Sequence, residues 1–276
     1  MGNPDLSMKF KLLLGTGCVC LLAVIIIFGF HRPSAKQRTA EGLALLEKSQ
    51  HEFSASQYQA AEQSSRQAVK IFRGLAREYP QHRYYPQHLG HSLWVLSDTL
   101  SATGKKDEAE RVAGEALQVF EKAAGQFPRV PFLRQEQAFS LRKIGERMES
   151  AGKLDGAEQR AQLSAGLYAG LKQEFPTNAF YALEEAYSAW MAAGILEHAG
   201  RPDQAEEQYR QAISLHETAI RNFPNEPEFK NRLQAIRGNL ADLLQAQGKT
   251  AEAEAIRHPS VNAGDPNQGG SKAVPP

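Results

Sequence analysis

Residues 103–128 read TGKKDEAERVAGEALQVFEKAAGQFP, and three parts of this stretch recur along the chain at one fixed 48-residue step. One is a turn glycine, found at positions 104, 152, 200 and 248. Another is an Ala-Glu pair, found at 61–62, 109–110, 157–158, 205–206 and 253–254; before the first pair, Ser56 replaces the glycine. The third is an aromatic-proline pair at 79–80, 127–128, 175–176 and 223–224. One register without insertions indicates a copied structural unit, and repeats of this size are typical of solenoids.

Each unit carries the pattern of two helices, which we call helix A and helix B. Between Pro80 and Pro128, leucines at 89, 93, 96 and 100 form one apolar stripe, which predicts an amphipathic helix A ending at Gly104. A second apolar stripe predicts helix B from Lys106 to Gln126, and Pro128 ends it. The sequence therefore predicts helix hairpins with a glycine turn inside each unit and a proline turn between units.

Composition excludes several classes of function. The chain has 276 residues, with 32 Lys and Arg against 31 Asp and Glu, so it has no general electrostatic attraction for nucleic acid. Its two cysteines, Cys18 and Cys20, both lie in the apolar N-terminal segment. The repeats thus have no disulfide and no thiolate metal site. We predict no cofactor and no small-molecule substrate.

Residues 12–30, LLLGTGCVCLLAVIIIFGF, form one uncharged apolar run. Its length suits a membrane-spanning helix, whereas a cleaved signal peptide has a shorter apolar stretch and a small-residue cleavage site. A cleaved signal peptide or a buried helix is the alternative. We predict a single-pass anchor between a short flank, 1–11, and a linker, 31–39. Positive charges are similar on both flanks, so the orientation is open; we expect the repeats outside the cytoplasm.

The repeat pattern resembles the tetratricopeptide repeat (TPR). In that family helix A carries a Leu-Gly pair, a glycine separates the helices, and two alanines seven residues apart lie in helix B. Here the first features are matched by Ile144-Gly145, Gly152 and Ala157. The alanine spacing is matched by Ala61/Ala68, Ala109/Ala116 and Ala205/Ala212, while Ser164 replaces the second alanine after Ala157. The resemblance covers roughly residues 40–257.

The repeat is longer than the usual TPR length of about 34 residues. The excess amounts to about two extra turns in each helix, which keeps the buried stripe in phase. Such long-helix arrays resemble those beyond a membrane span in some bacterial serine/threonine kinases. The chain has no glycine-rich loop, His-Arg-Asp or Asp-Phe-Gly motif of a kinase.

The predicted fold is therefore all-α: a right-handed, TPR-like α-solenoid of about five antiparallel helix pairs, plus one N-terminal transmembrane helix. The repeat domain spans 40–257, with units near 40–80, 81–128, 129–176, 177–224 and 225–257. Residues 258–276 are rich in Gly, Pro, Asn and Ser, and we expect a disordered tail.

The resemblance also implies a concave groove lined by helices A. The position fifteen residues before the helix B alanine faces that groove in the family, and here it holds Trp94, Arg142, Trp190 and Gly238. Four residues later come Asp98, Glu146, Gly194 and Asp242. We predict partner binding by Trp94, Arg142, Trp190, Asp98, Glu146 and Asp242, with Arg142 stacked between the indoles and the acids favouring basic segments or a free amino terminus. Alternatively, both tryptophans pack between neighbouring helices and the acids are solvated.

Enzymatic interpretations find little support. The acid pairs Glu184-Glu185 and Glu206-Glu207 are predicted to be solvated helix faces, and His82, His88 and His91 provide too few ligands for a metal site. We predict a non-catalytic scaffold that binds protein or peptide partners. Two alternatives remain open: self-association into a homo-oligomer through the concave face, and an α/α-fold enzyme with a closed ring around a buried acid pair.

Overall fold

The computed structural model describes residues 33–257, which form ten helices in sequential antiparallel pairs. This confirms the prediction of an all-α solenoid of about five helix pairs. Helices A are the odd-numbered and helices B the even-numbered ones: α1 Ala35–Ser54, α2 Tyr58–Glu78, α3 Tyr84–Ala102, α4 Lys106–Gln126, α5 Pro131–Ser150, α6 Leu154–Glu174, α7 Ala179–His198, α8 Pro202–Asn222, α9 Pro227–Ala246 and α10 Thr250–Arg257.

Two sequence predictions lie outside the described residues: the membrane anchor at 12–30 and the disordered tail at 258–276. Within residues 33–257, none of the helices has both the length and the apolar character that a membrane span requires.

The turn glycines explain one part of the repeat register. Gly104, Gly152, Gly200 and Gly248 have φ between +67° and +78°, a left-handed conformation that costs an L-residue energy. The backbone N–H of the residue after each turn glycine donates a hydrogen bond to a carbonyl of the preceding helix, as from Lys105 to Leu100 at 2.9 Å. In the first repeat Ser56 takes the same conformation, at φ 60°.

Buried columns that follow the repeat register form the core. The Ala-Glu alanines are between 0 and 3% exposed, and Ser97 donates a hydrogen bond across the gap to the Ala109 carbonyl at 2.8 Å, so helices A and B are in close contact there. A column of large side chains on helices B is fully buried: Phe72, Phe120, Tyr168 and His216. Phe120 packs against Gly90 of α3, where an added Cβ would lie 2.3 Å from its ring.

Ion pairs join each repeat to the next and explain the glutamate of the Ala-Glu pair. The basic residue after each turn glycine pairs with the Ala-Glu glutamate of the preceding repeat. These four pairs are Lys105–Glu62 at 2.7 Å, Lys153–Glu110 at 3.0 Å, Arg201–Glu158 at 2.5 Å and Lys249–Glu206 at 2.7 Å. They link neighbouring repeats beside the glycine turns.

Candidate functional site

A cavity of about 430 Å³ opens on the helix A face of the last three repeats. It lies between α5, α7 and α9, with one side chain contributed by α8. The residues that line it are Glu149, Tyr187, Trp190, Met191, Gly194, Glu197, His198, Tyr209, Asn239 and Asp242. Residues far apart in the chain thus meet in one concave site because the helices A are neighbours in the stack.

Aromatic rings form the walls and floor of this cavity. Trp190 is half-buried, and its indole meets the Tyr187 ring edge-on with centroids 5.8 Å apart. Gly194, one turn further along α7, leaves space above Tyr209, since an added Cβ would come within 4 Å only of the Tyr209 hydroxyl. The helical spacing of Tyr187, Trp190 and Gly194 places all three on one side of α7.

The cavity is acidic. Glu149 lies 2.9 Å from His198 Nδ1, and Glu197 accepts a 2.7 Å hydrogen bond from the Tyr209 hydroxyl. Burial, and then this bond to a carboxylate, raise the pKa of Tyr209, so its hydroxyl stays protonated. Asp242 pairs with Arg257, outside the lining. Three carboxylates and no lysine or arginine line the described cavity, which suits a cationic group.

Trp94 and Trp190 share a register but have different surroundings. Trp94 is 7% exposed, and its indole N–H donates to Ser140 Oγ at 2.8 Å. The equivalent position after Trp190 is Ile236, whose side chain has no acceptor. Trp94 is thus held in the packing between α3 and α5, as the alternative interpretation expected, while Trp190 stays at the cavity wall.

Arg142 does not stack between the indoles, so that detail of the prediction is wrong. Its guanidinium lies over the rings of Phe139 and Tyr187, at 5.2 and 5.0 Å, because it reaches from α5 toward α7. It also pairs with Glu146 at 2.5 Å and lies 3.3 Å from Glu184. The guanidinium over Trp94 is that of Arg147, at 5.3 Å.

Of the six predicted site residues, Trp190 and Asp242 line the cavity, and the other four lie outside it. Asp98 pairs with Arg147 at 2.5 Å, and Glu146 pairs with both Arg142 and Lys143. A binding role for these residues stays a prediction. Gly194, which the acid column also contains, lines the cavity as well, but Met191, Tyr209 and Asn239 were missed because they lie off both columns.

A tetratricopeptide-repeat family model matches residues 92–129, which span the second half of α3, the glycine turn and α4. The chain is a TPR-like repeat protein. No curated protein matches it significantly.

Several solved structures share this arrangement at low identity. The apo form of RapI is 12% identical, with 83% of this chain and 84% of that chain covered and a TM-score of 0.46. The nearly identical TPR-like repeats from Podosopora anserina are 18% identical, with 80% of this chain and 96% of that chain covered and a TM-score of 0.48. BtubC from P. vanneervenii is 13% identical, with 88% of this chain and 98% of that chain covered and a TM-score of 0.45. These values are low, so the TPR-like assignment rests on the helix pairs and on the family match.

The prediction that Glu184-Glu185 is a solvated face is wrong. The two residues are 8% and 9% exposed, because α7 is an interior helix of the TPR-like stack with α6, α8 and α9 packed against it. Glu184 faces Arg142 of α5, and Glu185 pairs with Lys172 of α6. Each carboxylate therefore lies near a cation from a different helix, and Glu184 shares Arg142 with Glu146. Glu206 likewise pairs, with Arg210 and Lys249.

The three clustered histidines of α3 and the turn before it have separate contacts. His82 stacks on Tyr85 with centroids 4.1 Å apart, and His88 contacts the Phe72 ring at 5.1 Å. Burial lowers the pKa of His88. His91 lies 2.9 Å from Glu136. Within the part of the chain that the structure describes, no group of three or more His, Cys, Asp or Glu side chains is arranged to hold a metal ion.

Proposed function

We propose that this TPR-like repeat protein is a non-catalytic scaffold that binds a protein or peptide partner in the cavity around Trp190. The cavity carries the proposal, since it combines a half-buried indole with three carboxylates on the helix A face. Tryptophan is among the residues most enriched at energetically important contacts. The TPR-like fold supports the proposal because such folds are typical of protein-binding scaffolds.

The acidic lining favours one kind of partner: a basic segment or a free amino terminus. A lysine, arginine or terminal amine entering the cavity would replace His198 beside Glu149 or Arg257 beside Asp242, and would lie against the Trp190 ring. The described lining offers no lysine or arginine for a partner's carboxylate, so an acidic partner would face three carboxylates without such a cation to pair with.

The chain offers its own reporter for a test. It has two tryptophans, so Trp94→Phe leaves Trp190 as the sole fluorescent indole. We would titrate the full chain with a lysine-rich peptide that has a free amino terminus and with an acidic peptide of equal length. We expect saturable fluorescence change with the basic peptide, weakened at least tenfold in Glu149→Gln/Asp242→Asn.

Asp98→Asn is the matched control, since Asp98 belongs to the same acid column but lies outside the cavity. It should leave the affinity within about twofold. Equal binding of both peptides, or equal losses in the cavity and control variants, would show that the cavity does not select cations.

We further propose that residues 12–30 anchor the chain in a membrane and that the repeats face away from the cytoplasm. The length of this uncharged run supports the anchor. Retention in the membrane after an alkaline wash tests the anchor, and loss of the protein to the supernatant would refute it. Digestion of the repeats by protease added to intact cells tests the orientation; repeats that survive unless the cells are lysed would refute it.

A further inference from the structure

Four exposed aromatic side chains lie at one edge of the solenoid. They are Tyr79, Tyr84, Phe175 and Phe180, which are 38 to 47% exposed. All four lie where a helix B ends and the next helix A begins, at the α2–α3 and α6–α7 junctions. Because the helix pairs are antiparallel and of similar length, these junctions share one edge. We call these four residues the aromatic edge.

The rings of the aromatic edge rest on buried partners. Tyr79 contacts Tyr85 at 5.8 Å, and Phe175 contacts Tyr181 at 6.0 Å between centroids. Tyr85 and Tyr181 are nearly fully buried, so the inner ring of each pair completes the core and the outer ring adds exposed apolar surface. Among the described residues, the other exposed large hydrophobic side chains are Leu43 and Leu163, both in helix interiors. Within residues 33–257, the glycine-turn edge thus has no counterpart to these rings.

The two glutamates beside these rings are both paired with arginines. Glu78 pairs with Arg38 at 2.7 Å, and Glu174 is hydrogen-bonded by Arg134 at 2.8 Å. Arg83 is exposed and lies over the Tyr84 ring at 4.9 Å. Exposed aromatic rings with arginines beside them are the side chains that favour the headgroup region of a bilayer.

The chain also enters the solenoid at this edge. Helix α1 begins at Ala35, and helices A all begin at the edge where helices B end. In the sequence, the apolar run ends at Phe30, so the intervening backbone reaches no more than roughly 18 Å when extended. A tether this short keeps the start of α1 close to the membrane surface if residues 12–30 span it.

We propose that the aromatic edge rests on the bilayer, with its four rings in the headgroup region. This rests on the proposed anchor but adds a fixed orientation of the solenoid. The cavity is lined by Glu197 and His198, at the opposite end of α7 from Phe180. The partner site therefore lies nearer the glycine-turn edge than the aromatic edge, and so away from the lipid.

The orientation can be measured on the full chain inserted in vesicles of phosphatidylethanolamine and phosphatidylglycerol. With Cys18→Ser and Cys20→Ser, a single fluorophore is attached through Gln81→Cys, beside the aromatic edge, or through Lys106→Cys, beside a glycine turn. Both positions are exposed. A lipid carrying a headgroup quencher should quench the label at 81 at least threefold more strongly than the label at 106.

Substitution distinguishes the role of the rings from that of the tether. Tyr84→Ser/Phe180→Ser should reduce the difference in quenching between the labels at 81 and 106 by half or more. The control Leu43→Ser/Leu163→Ser, at similarly exposed positions off the aromatic edge, should preserve that difference. Equal quenching at 81 and 106 in chain that stays with the vesicles would overturn the orientation and leave the anchor standing. Loss of the chain in an alkaline wash would overturn both. A label at 81 that responds only to added protein would assign the edge to a protein partner instead and overturn the proposal.

Discussion

At the residue scale, the two tryptophans differ in how much each stabilises the fold. Trp94 is buried and hydrogen-bonded to Ser140, so Trp94→Ala removes packing and leaves a cavity. We expect a loss of about 3–5 kcal/mol in the free energy of unfolding. Trp190 is only partly buried, at the margin of the core of the last repeats, and Trp190→Ala should cost less than Trp94→Ala. Urea unfolding followed by circular dichroism measures both.

This comparison has a clear contrary result. Equal losses for the two variants would place Trp190 in the core rather than at a partner site. The same contrast makes Trp190→Ala alone a better binding variant than a double tryptophan substitution, because the double variant would confuse lost binding with lost folding.

His216 gives the solenoid a pH-dependent weakness. Its ring is fully buried in the column that holds Phe72 and Phe120 in the first two repeats. Nδ1 donates to the Ala212 carbonyl at 2.8 Å, and burial lowers the pKa of His216 because the charged ring loses its hydration. A lowered folded-state pKa means that the unfolded chain binds the proton more readily. Stability is therefore complete above the ordinary histidine pKa, about 6.5, and falls as the pH drops below it.

His216→Phe tests this weakness. We expect the variant to lose less stability than the parent between pH 7 and pH 5, as measured by thermal or urea unfolding at each pH. Part of the dependence of stability on pH should remain in this variant, because burial also lowers the pKa of His88. His51→Gln, at an exposed site in α1, should keep the full slope. An unchanged slope in His216→Phe would show that the histidine does not titrate with unfolding.

At the element scale, the turn glycines are required for their backbone conformation alone. Gly104 has φ +78°, and an added Cβ would meet nothing within 4 Å. Gly104→Ala should therefore destabilise the protein by about 1–2 kcal/mol through the left-handed backbone. Gly114, inside α4, also has open space, and Gly114→Ala should stabilise by about 0.5–1 kcal/mol. Opposite signs in urea unfolding confirm the account; two losses would contradict it.

The residues that form the ion pairs between repeats are visible in the sequence, but their spacing did not predict which of them pair. A lysine or arginine follows every turn glycine, and a glutamate follows every helix B alanine. Both signals are visible in the sequence, but the partner of each lies in the neighbouring repeat. A pattern analysed within one unit cannot supply a contact between units.

At the scale of the whole molecule, the register predicted the ten-helix stack well and the site only partly. Period and apolar stripes depend on backbone geometry, which every repeat shares. The surroundings of each site residue depend on side chains that differ between repeats. Ser140 accepts a hydrogen bond from the indole N–H of Trp94, whereas Ile236, at the equivalent position, cannot accept one from Trp190. For the same reason, Glu184 and Glu185 were expected in solvent and are found between helices.

The central claim is that a partner binds the helix A face around Trp190. Its most direct measurement is site-specific photo-cross-linking in the full chain, with the reactive amino acid placed at Asn239 or at Leu163. Both positions are exposed; Asn239 lines the cavity, whereas Leu163 lies on helix B α6 outside it. We predict a discrete cross-linked partner from position 239, lost in Trp190→Ala, and none from position 163. Cross-linking from 163 alone, or from 239 with no dependence on Trp190, would contradict the claim.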